Sequence, residues 1–209
     1  MIRIFVADDH ILIREGFKKI LSEESDMCIV GEAQTAAETL DRIAECHCDI
    51  LVLDLGLPDR PGLEVLRDVK RILPHLCVLI LSMFPEERFA LRAIKAGADG
   101  YLSKESAAAE LARALRQITG GHKYFSQKTS EALLGRVRGE VSLMMHEVLS
   151  NREFQILLLI ASGKAISDIA SQLNLSVSTV NTHRAHILEK MNLHTNAELM
   201  RYAIENKLV

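Results

Sequence analysis

The chain has 209 residues, 48% of them apolar, 25% charged and 4% aromatic, with no Trp and a formal net charge of -3. This is an ordinary soluble globular composition, and no run approaches the roughly 18 consecutive apolar residues that a membrane span needs. Four cysteines in this length are too few for a disulfide scaffold, and at about 150 residues per domain two small domains are expected. The opening Met1-Ile-Arg-Ile-Phe-Val-Ala lacks the basic stretch, apolar segment and cleavage site of a secretory leader, so a cytoplasmic chain is expected. The charge divides unevenly: residues 1–120 hold 15 Lys/Arg and 20 Asp/Glu, whereas residues 121–209 hold 10 and 8. An acidic front and a mildly basic back suggest different partners for the two halves.

Short β-rich runs recur at Ile2–Ala7, Met27–Ala33, Asp49–Leu53, Cys77–Leu81 and Gly100–Ser103, each followed by a stretch with helical spacing. Ile13, Phe17, Ile20 and Leu21 fall on one helical face, as do Leu111, Leu115 and Ile118, while the strands read as nearly continuous Ile, Val and Leu. Five such units predict a doubly wound α/β domain around a parallel sheet over residues 1–120.

The polar residues of this half sit at the carboxyl ends of the predicted strands. Asp8 and Asp9 follow the first, Asp54 the third, Ser82 the fourth and Lys104 the fifth. In an open parallel sheet those ends converge on one crevice, so three carboxylates, a hydroxyl and an ammonium are expected to meet there. Clustered acids repel unless a cation lies among them, which implies a hard divalent ion such as Mg²⁺. Lys104 and Ser82 would complement a phosphoryl group, leaving Asp54 as the carboxylate nucleophile. Any one of these residues alone reads more readily as a cap or surface charge; their shared edge is what carries the inference.

Asp8-Asp9-His10, Leu53-Asp54-Leu55-Gly56-Leu57-Pro58 with Gly62, Leu81-Ser82 and Gly100-Tyr101-Leu102-Ser103-Lys104 together resemble the receiver domain of two-component response regulators, a flavodoxin-like fold. The resemblance implies that Asp54 accepts a phosphoryl group from a sensor histidine kinase. It also implies that Asp8, Asp9, Asp54 and the Gly56 backbone carbonyl bind Mg²⁺, that Ser82 and Lys104 hold the phosphate, and that Tyr101 is the switch aromatic. Two positions depart from the commoner pattern: Glu105 follows Lys104 where Pro is frequent, and bulky Met83 follows Ser82 where a small residue is frequent. Met83 is expected to narrow access to the phosphorylation site.

At Gly120-Gly121 the βα pattern stops, and residues 121–148 read as a linker with a helix from about Ser126 to Val137. Residues 149–209 form the second predicted domain. Ser150 and Glu153 have the spacing of a capping box, with Leu149 and Phe154 as the hydrophobic staple, and the helix they start runs to Gly163. A short helix from about Ser167 to Leu173, a turn at Asn174-Leu175-Ser176 and a longer helix from Val177 to about Met191 have helix-turn-helix spacing. Ala170 is small enough for a close crossing, Asn174 tolerates left-handed backbone, and Val180 returns to the shared core. A last helix is expected over Asn196–Asn206.

Ser150-Asn-Arg-Glu, Ile169-Ala170, Leu175-Ser176, Thr179-Val180-Asn181-Thr182-His183 and Ile187-Leu-Glu-Lys-Met resemble the LuxR-type DNA-binding domain, a small all-α unit. The two resemblances together imply the NarL/FixJ class of response regulator, acting on double-stranded promoter DNA as a homodimer, with RNA polymerase as a further partner. The longer helix would enter the major groove, with Asn181, Thr182 and Ala185 facing bases and Thr179, Arg184 and Lys190 near phosphates. Lys is frequent in the family at the positions of Asn181 and Ala185, so a shallower dependence of binding on salt is expected here.

The output is then a population shift rather than turnover of an external substrate, so no enzyme activity is expected. Two other readings remain open: a phosphorylation-independent regulator whose receiver works by interaction alone, and a phosphatase or mutase with an aspartyl-phosphate intermediate. The latter family places its nucleophile after the first strand in Asp-x-Asp, and would leave the helix-turn-helix unexplained. Cys46-His47-Cys48 lacks a second pair at zinc spacing, and neither Gly-x-Gly-x-x-Gly nor a Walker loop is present.

Overall fold

The computed structural model describes residues 1–84, 86–127, 129–131 and 144–209, with the side chains of 87 and 88 left aside. The chain separates into two compact units, Met1–Arg138 and Gly139–Val209.

The first unit alternates β1 (Ile2–Ala7), α1 (Ile11–Ser22), β2 (Met27–Ala33), α2 (Ala36–Ile43), β3 (Ile50–Asp54), α3 (Gly62–Ile72), β4 (Cys77–Ser82), α4 (Glu86–Ala96), β5 (Gly100–Ser103) and α5 (Ala107–Thr119). The strands pair in parallel in the order β2-β1-β3-β4-β5, the doubly wound sheet expected from the alternation. Successive strand side chains point to opposite faces. Ile4, Val6, Ile50, Val52, Leu79 and Leu81 therefore share one face, where they pack with Phe17 and Leu21 of α1 and with Leu111, Leu115 and Ile118 of α5. Phe5, Leu51, Leu53, Val78 and Ile80, also buried, take the alternate positions. Burial on both faces explains the unbroken apolar strands.

The order reverses between β1 and β3, so the crevice at a doubly wound sheet's switch point opens at their carboxyl ends. β3 and β4 each run one residue further than expected, which makes Asp54 and Ser82 the last residues of their strands. The loop after β3 folds back tightly, with Gly62 N–H donating to Leu55 O at 3.1 Å. A Cβ at Gly62 would stand 2.2 Å from Asp54 O and 2.7 Å from Leu55 Cα. Both are backbone atoms of the site strand, so Gly62→Ala is expected to cost the receiver about 3 kcal/mol or to displace Asp54. Denaturant unfolding is the measurement, and an unchanged midpoint would sink the close-approach argument.

Helix α5 ends as its glycines predict. Gly121 has φ +87°, and the His122 and Gly121 amides return to Gln117 O at 3.1 Å and Ile118 O at 2.9 Å. The backbone then stays on the receiver: Tyr124 forms a parallel bridge to Gly100 at the β5 edge. Ser126 Oγ accepts Thr129 N–H at 3.2 Å, and residues 127 and 129–131 are helical. The rest of the helix expected to Val137, at 132–137, lies outside the described residues.

In the second unit a 3₁₀ turn (Met145–Val148) precedes α6 (Asn151–Ala161), α7 (Ile166–Gln172), α8 (Val177–Lys190) and α9 (Asn196–Glu205). The capping box forms as its spacing predicts, with Glu153 N–H donating to Ser150 Oγ at 3.3 Å and Ser150 N–H to Glu153 Oε2 at 2.7 Å. Leu149 and Phe154 are both buried. Asn174 takes φ +52° in the turn between α7 and α8, and Ala170 and Val180 are buried at the crossing. Among the described residues no helix is long and apolar enough to cross a membrane.

Candidate functional site

The carboxyl ends of β1, β3 and β5 bring Asp8, Asp54 and Lys104 into one buried pocket. Asp8 is 0% exposed and Asp54 3%. Lys104 Nζ donates to Asp54 Oδ2 at 2.7 Å and lies 2.8 Å from Asp8 Oδ2, between the two carboxylates. Asp54 Oδ1 accepts the Gly56 N–H at 3.0 Å. Burial pushes the Asp54 carboxyl above its usual range, with the Asp8 charge adding to the effect and Lys104 opposing it. Burial works against the Lys104 ammonium, yet Asp54 and Asp8 more than offset it and hold its pKa above the usual lysine value.

Asp9 and His10 complete the acidic rim. His10 Nδ1 stands 2.7 Å from Asp9 Oδ1 and 3.1 Å from Asp8 Oδ1, and the His10 N–H donates to Asp8 Oδ1 at 2.8 Å. One ligand atom from each of Asp8, Asp9, His10 and Asp54 falls within 4.8 Å of the others. Asp8 Oδ2 and Asp9 Oδ1 are buried and have only the ionic contacts to Lys104 and His10. Such oxygens are the donors a hard divalent cation takes, so the residues fit Mg²⁺.

Ser82 is 1% exposed, and its Oγ accepts the Phe84 N–H at 3.1 Å. Lys104 N–H donates to Ser82 O at 2.7 Å, fixing the residue after β5 to the last residue of β4. Tyr101 points inward at 1% exposure, and its hydroxyl donates to Phe84 O at 2.9 Å. Met83 is 66% exposed and lines a cleft with Tyr101, Glu105 and Phe125.

Sequence reasoning passed over Arg14, which is 6% exposed and donates from Nη1 to Asp8 O at 2.7 Å, pinning the β1–α1 loop. A basic residue beside Ile13 and Phe17 on the inner face of α1 was the available signal. Phe84, held through its backbone by both Ser82 and Tyr101, left no signal in its residue type.

In α8 Val180 and Ile187 are buried, whereas Ser178, Asn181, Thr182, Ala185 and Glu189 are exposed along one face. Asn181, Thr182 and Ala185 are thus brought together on an open surface. The predicted phosphate contacts are differently placed: Thr179 is half-buried in the first turn, where its N–H donates to Ser176 Oγ at 3.0 Å. Arg184 Nε donates to Asn196 Oδ1 at 2.5 Å, and Lys190 Nζ lies 2.8 Å from both Glu153 oxygens. Both cations therefore have intramolecular partners that the spacing did not show.

An acidic pocket with a buried lysine at the strand ends of a doubly wound sheet, followed by a helix-turn-helix unit, is the arrangement of a response regulator with a DNA-binding output domain. Residues 4–116 match the family described as response regulator receiver domain, and residues 147–203 match bacterial regulatory proteins of the luxR family. The chain belongs to the NarL/FixJ class of two-component response regulators, DNA-binding transcription regulators with these two domains in this order. It is 36% identical to the oxygen regulatory protein NreC of Staphylococcus epidermidis over 215 residues, covering 99% of each chain. It is 33% identical to the response regulator protein VraR of Staphylococcus aureus over 208 residues, covering 100% of this chain and 99% of that one. RcsB of Salmonella enterica serovar Typhimurium, solved on promoter rprA with the phosphomimetic BeF₃⁻, shares the fold at a TM-score of 0.64 and 22% identity, over 96% of this chain and 97% of that one.

Proposed function

We propose that this chain is a cytoplasmic transcription regulator switched by phosphorylation of Asp54 by a sensor histidine kinase, and that the phosphorylated form binds promoter DNA as a homodimer that engages RNA polymerase. The observation that carries the reading is the Asp54 carboxylate at the end of β3, with the Lys104 ammonium 2.7 Å away and Asp8 opposite. An Asp54 carboxylate oxygen attacks the donor phosphorus, the bond from phosphorus to the donor atom breaks with its electron pair leaving on the donor, and an acyl phosphate forms.

Asp8, Asp9, Asp54 and the Gly56 carbonyl would hold Mg²⁺, which would supply charge neutralisation for the transferred phosphoryl oxygens. Lys104 follows the charge from the carboxylate onto the phosphoryl group, and the Ser82 hydroxyl donates to it. Arg14 and the Gly56 amide hold Asp8 and Asp54 in place. The product is a second state of the receiver, not a released molecule.

Incubation of the full chain with acetyl phosphate and Mg²⁺, followed by intact mass, tests this. A single phosphoryl gain that disappears in Asp54→Asn and in metal-free buffer is expected. No gain with either acetyl phosphate or a histidine kinase, in protein that remains folded, would overturn the phosphoacceptor reading in favour of a phosphorylation-independent regulator.

A further inference from the structure

The backbone that leaves α5 is bonded to the part of the receiver that surrounds Tyr101. Tyr101 N–H donates to Tyr124 O at 3.0 Å, and Tyr124 N–H donates to Asp99 O at 3.0 Å, so the chain lies along the β5 edge. Side chains hold it there: Gln117 Nε2 donates to Lys123 O at 2.7 Å, Lys123 Nζ to Asp99 Oδ1 at 2.5 Å, and Arg113 Nη2 to the Tyr124 hydroxyl at 2.8 Å. The Tyr124 hydroxyl in turn donates to Glu110. Two residues on, the Ser126 N–H donates to Glu86 Oε1 at 2.7 Å.

Glu86 is the first residue of α4, two positions after Phe84. Phe84 is gripped from the phosphorylation pocket on both sides, its N–H by Ser82 Oγ and its carbonyl by the Tyr101 hydroxyl. Hydrogen bonds thus tie Phe84 to Ser82 and Tyr101, the first residue of α4 to Ser126, and Tyr101 through its own amide to Tyr124. Between them lies a cleft of ≈ 550 Å³ bounded by Met83, Glu86, Tyr101, Glu105, Phe125 and Ser126, which leaves the β4–α4 loop room to move.

We propose that residues 122–126 form a strap whose docking on the β5 edge is set by the phosphorylation state of Asp54, with Glu86 and Tyr124 as its positioning residues. The inference rests on the reading of Asp54 as phosphoacceptor. A phosphoryl oxygen on Asp54 draws the Ser82 hydroxyl toward it, and the Phe84 N–H loses the acceptor that holds the loop. The loop and the first turn of α4 shift into the cleft, and Glu86 leaves the position at which it accepts the Ser126 N–H. The strap is therefore docked in the unphosphorylated chain and loosened by phosphorylation.

Coupling between two equilibria is reciprocal: whatever loosens the strap must favour the phosphorylated state. The full chain with Mg²⁺ is titrated with beryllofluoride, a phosphoryl analogue, by calorimetry, and backbone exchange over residues 122–126 is followed by mass spectrometry. Beryllofluoride is expected to speed exchange in that segment. Glu86→Ala and Tyr124→Phe, which weaken the strap from opposite sides, are each expected to bind beryllofluoride about five- to tenfold more tightly. A purely structural role would lower stability without tightening binding. Binding with exchange unchanged, or with both variants at wild-type affinity, overturns the strap while leaving the phosphoacceptor reading intact. Absence of beryllofluoride binding in the unsubstituted chain overturns that reading, and the strap falls with it.

Discussion

Asp54→Asn is expected to unfold at a higher temperature than the unsubstituted chain in metal-free buffer near pH 7, and to gain less than that chain from added Mg²⁺. The cause is the charge balance in a closed space. Asp8 and Asp54 are both buried with Asp9 beside them, and Lys104 is the ammonium set between the first two. Burial raises the Asp54 pKa, Asp8 reinforces it, and the bonds from Lys104 and Gly56 do not reverse it. A carboxyl with a raised pKa in the folded state binds its proton more tightly there than in the unfolded chain. Its contribution to stability therefore falls as pH rises from the ordinary carboxylate range through the folded value.

Asn removes that cost at neutral pH and changes little at acid pH, where Asp54 is already protonated. A gain on the order of 1 kcal/mol, or a few degrees in the receiver transition, is expected near pH 7 and shrinks as the pH is lowered. Mg²⁺ stabilises the unsubstituted chain by its binding free energy, whereas the variant lacks one of the charges that hold the ion, so enough Mg²⁺ reverses the order of the two proteins. Thermal unfolding across pH, with and without Mg²⁺, reads all three effects. A metal-free variant no more stable than the parent would show that the Lys104–Asp54 bond outweighs the burial of the charge.

The part of this pocket that was legible in sequence is the part that strand ends dictate. Asp8, Asp54, Ser82 and Lys104 follow runs of Ile, Val and Leu that only a doubly covered sheet accommodates, and a parallel sheet delivers all such ends to one edge. Arg14 was not legible as a site residue because its partner is a backbone carbonyl, which no residue type announces. The same holds for Phe84 and for Tyr124, whose amides and carbonyls make the bonds around Tyr101. The glycines that end α5 suggested a hinge, yet the next residues found unpaired backbone at the β5 edge and bonded to it. In the second domain the caps were legible because they are local in sequence. The Lys190–Glu153 pair was not, since its residues are 37 positions apart and meet only through helix packing.

That pair bears directly on how α8 reads DNA. Asn181, Thr182 and Ala185 lie exposed on one face, whereas the two cations expected near phosphates, Arg184 and Lys190, are tied to Asn196 and Glu153. The surface proposed to face bases is thus nearly uncharged, and sequence discrimination is expected to rest on Asn181 and its neighbours more than on the phosphate attraction of this helix. On DNA selected from a random pool by the phosphorylated full chain, Asn181→Ala is expected to lose about 1–3 kcal/mol of specific affinity, since Asn pairs two-pronged with adenine in the major groove. That is about 5- to 150-fold in Kd at fixed salt, with binding to random DNA unchanged and the slope of log K against log salt preserved. Arg184→Ala is expected to weaken selected and random DNA alike, with a fall in that slope of less than about one phosphate contact because Asn196 already holds the guanidinium. If Asn181→Ala keeps the parent's ratio of selected to random binding, the helix sits in the groove rotated toward Ser178 and Ala185, and base reading passes to those positions.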